Sequence, residues 1–96
     1  MMNKLLIEWG KLDRTEAIEA SVHEKATKVL KFHPDATKLI VTFQIINPLS
    51  SKGPATQKVS MELRMPNRQD IRSSKEGTDI YNAISEAEKA LLAQKH

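Results

Sequence analysis

The sequence predicts a two-layer α+β sandwich in the order β-α-β-β-β-α, with both helices covering one face of a four-stranded sheet. Two segments repeat apolar residues at helical spacing, and the segments between and before them are short, β-branched and period-two. At 96 residues with 40% hydrophobic and 28% charged residues, the chain suits one domain over 1–96 with one core. A chain this short buries roughly 60–65% of its unfolded surface, so it folds alone with little margin.

Each element follows from its residues. Residues 4–9 (KLLIEW) read as a short strand with Leu5 and Ile7 on one face. Asp13 and Glu16 have capping-box spacing, and Thr15 is an alternative N-cap for the helix EAIEASVHEKATKVLKF. Ile18, Val22, Ala26, Val29 and Leu30 form its apolar stripe, and Pro34 stops it. Residues 38–47 form a second strand with Leu39, Val41, Phe43 and Ile45 on one face, ended by Pro48. The segment 48–56 is a loop by composition. Residues 57–65 alternate, with Val59, Met61, Leu63 and Met65 opposed to Lys58, Ser60, Glu62 and Arg64. Pro66-Asn67 suits a tight turn into a fourth strand at about 68–75. Gly77-Thr78-Asp79 then opens a helix whose stripe is Ile80, Ala83, Ile84, Ala87 and Leu91. The strand–helix–strand start favours a parallel crossover, and the next two connections read as hairpins.

Composition narrows the function. With no cysteine there is no disulfide, thiolate metal site or cysteine nucleophile, and three glycines leave no phosphate-cradling Gly-rich loop. Leu5-Leu6-Ile7 is too short for a signal core or a membrane span. The net charge of +3 is unevenly spread. Residues 25–75 hold ten basic residues against Asp35, Glu62 and Asp70, while the segments on either side are net acidic. A basic middle is the footprint of a polyanion binder.

No catalytic constellation emerges. His23, His33 and His96 lack paired ligand spacing, and His23 reads as a half-exposed surface side chain. Glu16 and Glu19 sit where carboxylates oppose the helix dipole. Trp9, at the end of the first strand, reads as a cap on the core edge more readily than as a base-stacking platform. No enzyme activity, cofactor, metal or small-molecule substrate is expected. Lys25 is more telling. At about 100° per residue it falls between Ile18 and Phe32, at the edge of the apolar stripe, so its stem lies on the core and its ammonium runs out along the flank. Lys28 stands beside it on that flank.

These residues resemble the hibernation-promoting factor family, also called ribosome-associated inhibitor A or sigma-54 modulation proteins. The first anchor is Leu5-x-Ile7, Leu12 and Thr15-Glu16-Ala17-Ile18, continuing through Val22, Lys25, Lys28 and Val29. The second runs from Glu76 to Ile84 (EGTDIYNAI) and is similar to the family signature G-x-D-M-Y-x-A-I-D. The resemblance implies the same β-α-β-β-β-α fold. It also implies a cytoplasmic, short-form protein that binds the small ribosomal subunit and its rRNA in the channel of messenger and transfer RNA. Such a protein silences translation in stress or stationary phase without catalysis, and pairing of ribosomes would need a second hibernation factor.

Lys25 and Lys28 match basic family positions, which the resemblance implies are RNA-binding. Lys31, Arg64, Arg68, Arg72 and Lys75 join them on charge alone. The family places a lysine and an arginine where this chain has Ala90 and Ala93, and an aspartate where it has Ser85, leaving Lys89 and Lys95 as imperfect substitutes. The fold is also similar to a double-stranded-RNA-binding domain, and Lys52-Gly53-Pro54 resembles its Gly-Pro loop. The acid in Thr78-Asp79-Ile80-Tyr81 replaces the lysine cluster that such a domain needs there. The alternative reading is a protein-binding regulatory module that keeps the fold with a thinned groove, motivated by Ala90, Ala93 and a Leu92 expected to be exposed.

Overall fold

A computed structural model describes residues 4–46, 56–67 and 69–94. The elements are β1 (Leu5–Glu8), α1 (Glu16–Phe32), β2 (Lys38–Ile46), β3 (Thr56–Arg64), β4 (Ile71–Gly77) and α2 (Ile80–Leu92). The sheet order is β1-β2-β3-β4, with β1 parallel to β2 and the other two pairs antiparallel. The α+β sandwich and its element order are those predicted.

Local chemistry explains the helix ends. Thr15 is the N-cap of α1, its hydroxyl accepting from the Ile18 N–H at 3.1 Å, so the alternative cap prevails over the Asp13–Glu16 box. Asp79 caps α2 by accepting from the N–H groups of Tyr81 and Asn82. The His33 N–H returns to the Val29 carbonyl as α1 ends, and Pro34 follows. Between β1 and α1 the chain turns at Gly10, whose φ is 59°. A Cβ there would lie 2.9 Å from the Phe43 carbonyl oxygen, so both conformation and space require glycine.

The core joins the two predicted stripes to the inner sheet face. Ile18, Val22, Ala26 and Val29 of α1 and Ile80, Ala83, Ile84, Ala87 and Leu91 of α2 pack with Leu39, Val41, Phe43, Val59, Met61, Leu63 and Ile71. Burial of these side chains is the main stabilising contribution, at roughly 25 cal/mol per Å² of apolar surface removed from water. The Ser73 hydroxyl donates to the Ala87 carbonyl at 2.7 Å and ties β4 to α2. The strand directions fix the helix directions. Helix α1 descends between the parallel strands β1 and β2, and α2 descends along β4, so the two helices run the same way.

Two expectations are corrected. The fourth strand begins at Ile71, not near 68, and runs to Gly77. Its pairing starts at Leu63↔Ile71, so the connection is wider than a tight turn. Asn67 takes φ 58° in it, and the Asp70 carboxylate accepts from the Met65 N–H at 3.3 Å, holding the wide loop closed. Leu92 was expected off the stripe and exposed, yet it is partly buried against the core. Most of the 48–56 loop, with Lys52-Gly53-Pro54, lies outside the described residues, as do Arg68, Lys95 and His96. Among the described residues, no helix is long and apolar enough to cross a membrane.

Candidate nucleic-acid interface

The basic residues singled out by sequence divide between two surfaces. Lys25, Lys28 and Lys31 project from α1 and Lys89 from α2, on the helical side. Arg64 and Arg72 stand on the opposite, open sheet face. Arg64 alternates with the buried Leu63, and Arg72 pairs in register with Glu62 of that same open face. Lys75 lies on edge strand β4, opposite the buried Val59 and therefore on the helical side, and is exposed. Arg68 lies outside the described residues.

The helical side holds a groove between α1 and α2, and one ion pair locates it. The Lys28 ammonium lies 3.5 Å from Glu88 Oε2 across the two helices. Glu88 is 1% exposed and is the only buried charged residue among the described residues. Its Oε2 has no hydrogen bond, so the Lys28 charge is its compensation. The side chain of Lys28 itself remains 58% exposed.

The other groove residues follow from helix geometry. The flank of α1 that carries Lys28 also carries Lys25 and Phe32, three residues before and four after it. The flank of α2 that carries Glu88 also carries Tyr81, Ser85 and Leu92. Lys25 has the predicted half-buried stem, with 25% of its side chain exposed and its ammonium 3.5 Å from the exposed Glu24 carboxylate. Lys89 sits on the outer crest of α2 and pairs with Glu86 at 3.5 Å. Surface pairs of this kind contribute little and yield readily to a competing anion.

On the open face the charges are more tightly matched. Glu62 accepts from Arg64 Nε at 3.0 Å and lies 3.7 Å from Arg72 Nε. Beside them lies a shallow depression of about 460 Å³, lined by Ile40, Thr42, Ser60, Glu62, Arg72 and Ser74. Lys58 and Glu76 also oppose each other in the ladder.

Trp9 agrees with the core-edge reading. Its ring lies 5.2 Å from Phe43 and is covered by the Arg14 guanidinium at 5.9 Å, so it is not a free stacking platform. Arg14 also forms two 3.2 Å hydrogen bonds to Glu19. Those bonds hold the Glu19 carboxyl below its ordinary range and raise the Arg14 guanidinium above its own. His23, 46% exposed, reaches to 3.9 Å from Glu19 on the surface.

Glu88 is the residue of this site that sequence reasoning does not single out. The wheel argument that singled out Lys25 applies equally to Glu88, at the edge of the α2 stripe.

Residues 6–94 match the family model described as sigma 54 modulation protein / S30EA ribosomal protein. No curated protein sequence matches the chain. Among solved structures, it is similar to a ribosomal subunit interface protein from Coxiella burnetii, at a TM-score of 0.74 and 16% identity over 91% of this chain and 87% of that one. It is similar also to the N-terminal domain of Thermus thermophilus Protein Y, at a TM-score of 0.58 and 23% identity over 91% of this chain and 86% of the other. These likenesses speak to the fold. With the family model spanning nearly the whole chain, the protein belongs to the sigma 54 modulation protein / S30EA ribosomal protein family.

Proposed function

We propose that this cytoplasmic protein binds the small ribosomal subunit through rRNA phosphates and inhibits translation under stress or in stationary phase. The observation that carries the reading is the interhelix groove of a family member, in which Lys25 and Lys28 stand one helical turn apart on one flank of α1, the side chain of Lys28 more than half exposed. Lys31 extends the basic strip at the end of α1, and Lys89 borders it from α2. Such a surface acts by neutralising phosphates of fitting shape, with release of condensed counterions. The mechanism is occlusion: a bound domain fills a channel that messenger or transfer RNA would use, and no bond is made or broken.

The helical side carries fewer cations than the resemblance implies. Ala90 and Ala93 supply none on α2, so affinity rests on α1 more than on α2. Arg64, Arg72 and Lys75, and Arg68 beyond the described residues, would serve as peripheral contacts. Sedimentation with purified small subunits tests the reading. Co-migration at low salt and release at high salt are the expected result. No co-migration at low salt removes the proposal in favour of a protein-binding module.

A further inference from the structure

The two solvent-facing aromatic rings of the molecule lie at opposite ends of the same groove. Of the four aromatic residues, Phe43 is in the core and Trp9 packs on its edge. Phe32 is 65% exposed and Tyr81 46% exposed, and neither joins the core cluster.

Their placement is set by the helices. Phe32 follows Lys28 by four residues on α1, and Tyr81 precedes Glu88 by seven on α2, each on the flank facing the other helix. The helices run the same way and are in register at the Lys28–Glu88 pair. At 1.5 Å of rise per residue, the two rings stand about 16 Å apart along the groove, with Lys25 and Lys28 between them. The groove thus reads ring, lysine, lysine, ring.

We infer that Phe32 and Tyr81 are stacking platforms for unpaired nucleobases, so that the groove takes single-stranded RNA rather than a duplex. This inference rests on the RNA-binding reading above and deepens it. Lysines alone suit any phosphate backbone. Exposed rings interleaved with lysines suit a strand whose bases are free, because every base offers a π-face. A duplex cannot use them, since its base faces are already stacked inside the helix. Stacked bases in one strand are about 3.4 Å apart, so rings offset by about 16 Å along the groove receive two bases that are not neighbours, with backbone crossing the lysines between them. Only the π-faces are recognised, so the site tolerates any sequence.

The test uses the full chain with Phe32→Leu and Tyr81→Leu, which keep an apolar side chain and remove the ring. Both positions are exposed, and unchanged thermal melting verifies the fold. Binding is measured across a salt series to a twelve-nucleotide oligoadenylate, to a twelve-base-pair RNA duplex and to small ribosomal subunits. The wild-type chain is expected to prefer the single strand. Each leucine variant is expected to lose about tenfold in affinity for the oligoadenylate and the subunit, with the slope of affinity against salt unchanged. Loss of subunit binding without loss of oligoadenylate binding would overturn the inference, since the rings would then touch ribosomal protein. Wild-type affinity in both variants, with subunit binding intact, would overturn it while leaving the ribosome reading standing. Failure of the wild-type chain to bind subunits at all would remove that reading first.

Discussion

On the open sheet face Glu62 lies between Arg64 and Arg72 and satisfies both from the surface, whereas in the interhelix groove the carboxylate facing Lys28 is buried beneath it. The first arrangement is a sheet stabilising itself through one neighbour along β3 and one across to β4, the cross-strand pair worth roughly 0.2–1 kcal/mol. The second leaves more than half of the Lys28 side chain in water, because Glu88 is only 1% exposed and takes up little of the surface. Lys28 on one surface and the Arg64–Arg72 pair on the other therefore do not make equal sites. What matters is whether the counter-charge competes for the solvent side of the cation.

The largest expected effect separates the two surfaces directly. Lys25→Gln with Lys28→Gln, made on a Glu88→Gln background so that no buried carboxylate is orphaned, should weaken small-subunit binding about a hundredfold relative to Glu88→Gln alone. That is two phosphate contacts at about 1.4 kcal/mol each. The slope of log affinity against log salt should become shallower by about 1.5. Binding that survives this triple change would move the interface off the groove. Next in size is a stability effect. Lys28→Ala alone leaves Glu88 buried and uncompensated, and should cost on the order of 2 kcal/mol in urea unfolding, below the usual figure for a buried pair because Lys28 is itself half in water. Adding Glu88→Gln to Lys28→Ala should restore most of the loss; no recovery would mean that the pair is not what holds Glu88 in place.

Why sequence found one partner of this pair and not the other is instructive. The layers, the helix stripes and the strand faces were legible because burial imposes a period, and Val22, Val29, Leu39 and Leu63 state that period clearly. Lys25 was legible as a violation of it, and Lys28 as its neighbour on the same flank. Glu88 violates it in the same way, but its meaning depends on which helix lies opposite, and no single-helix pattern carries that information. The start of β4 was missed for a related reason. Pro66-Asn67 signals a turn, while the width of the loop is set by a tertiary bond from Met65 to Asp70. The place of Arg64 on the open face was legible from its alternation with Leu63, whereas that of Arg72 depends on the register of β4 against Glu62, which the turn signal alone does not set.

A smaller effect sharpens the comparison from the groove side. Glu88→Gln alone should raise subunit affinity about threefold, since the Lys28 ammonium then has no anion behind it, and the salt slope should steepen. Unaltered affinity would show that Glu88 is electrostatically silent toward the ligand.

The smallest expected effect belongs to the open face. Arg64→Gln with Arg72→Gln should change small-subunit affinity by less than about threefold, because a phosphate approaching either arginine must first displace Glu62, and exposed pairs resist this only weakly but also gain little from it. Glu62→Gln supplies the control. If the arginines are held in reserve rather than spent on the sheet, that change should release both, and affinity should rise by more than it does for Glu88→Gln. A rise of that size would make the open face a second RNA surface. An unchanged affinity in both variants would leave Arg64, Glu62 and Arg72 as a stabilising cluster across β3 and β4, and the groove between α1 and α2 as the site of binding.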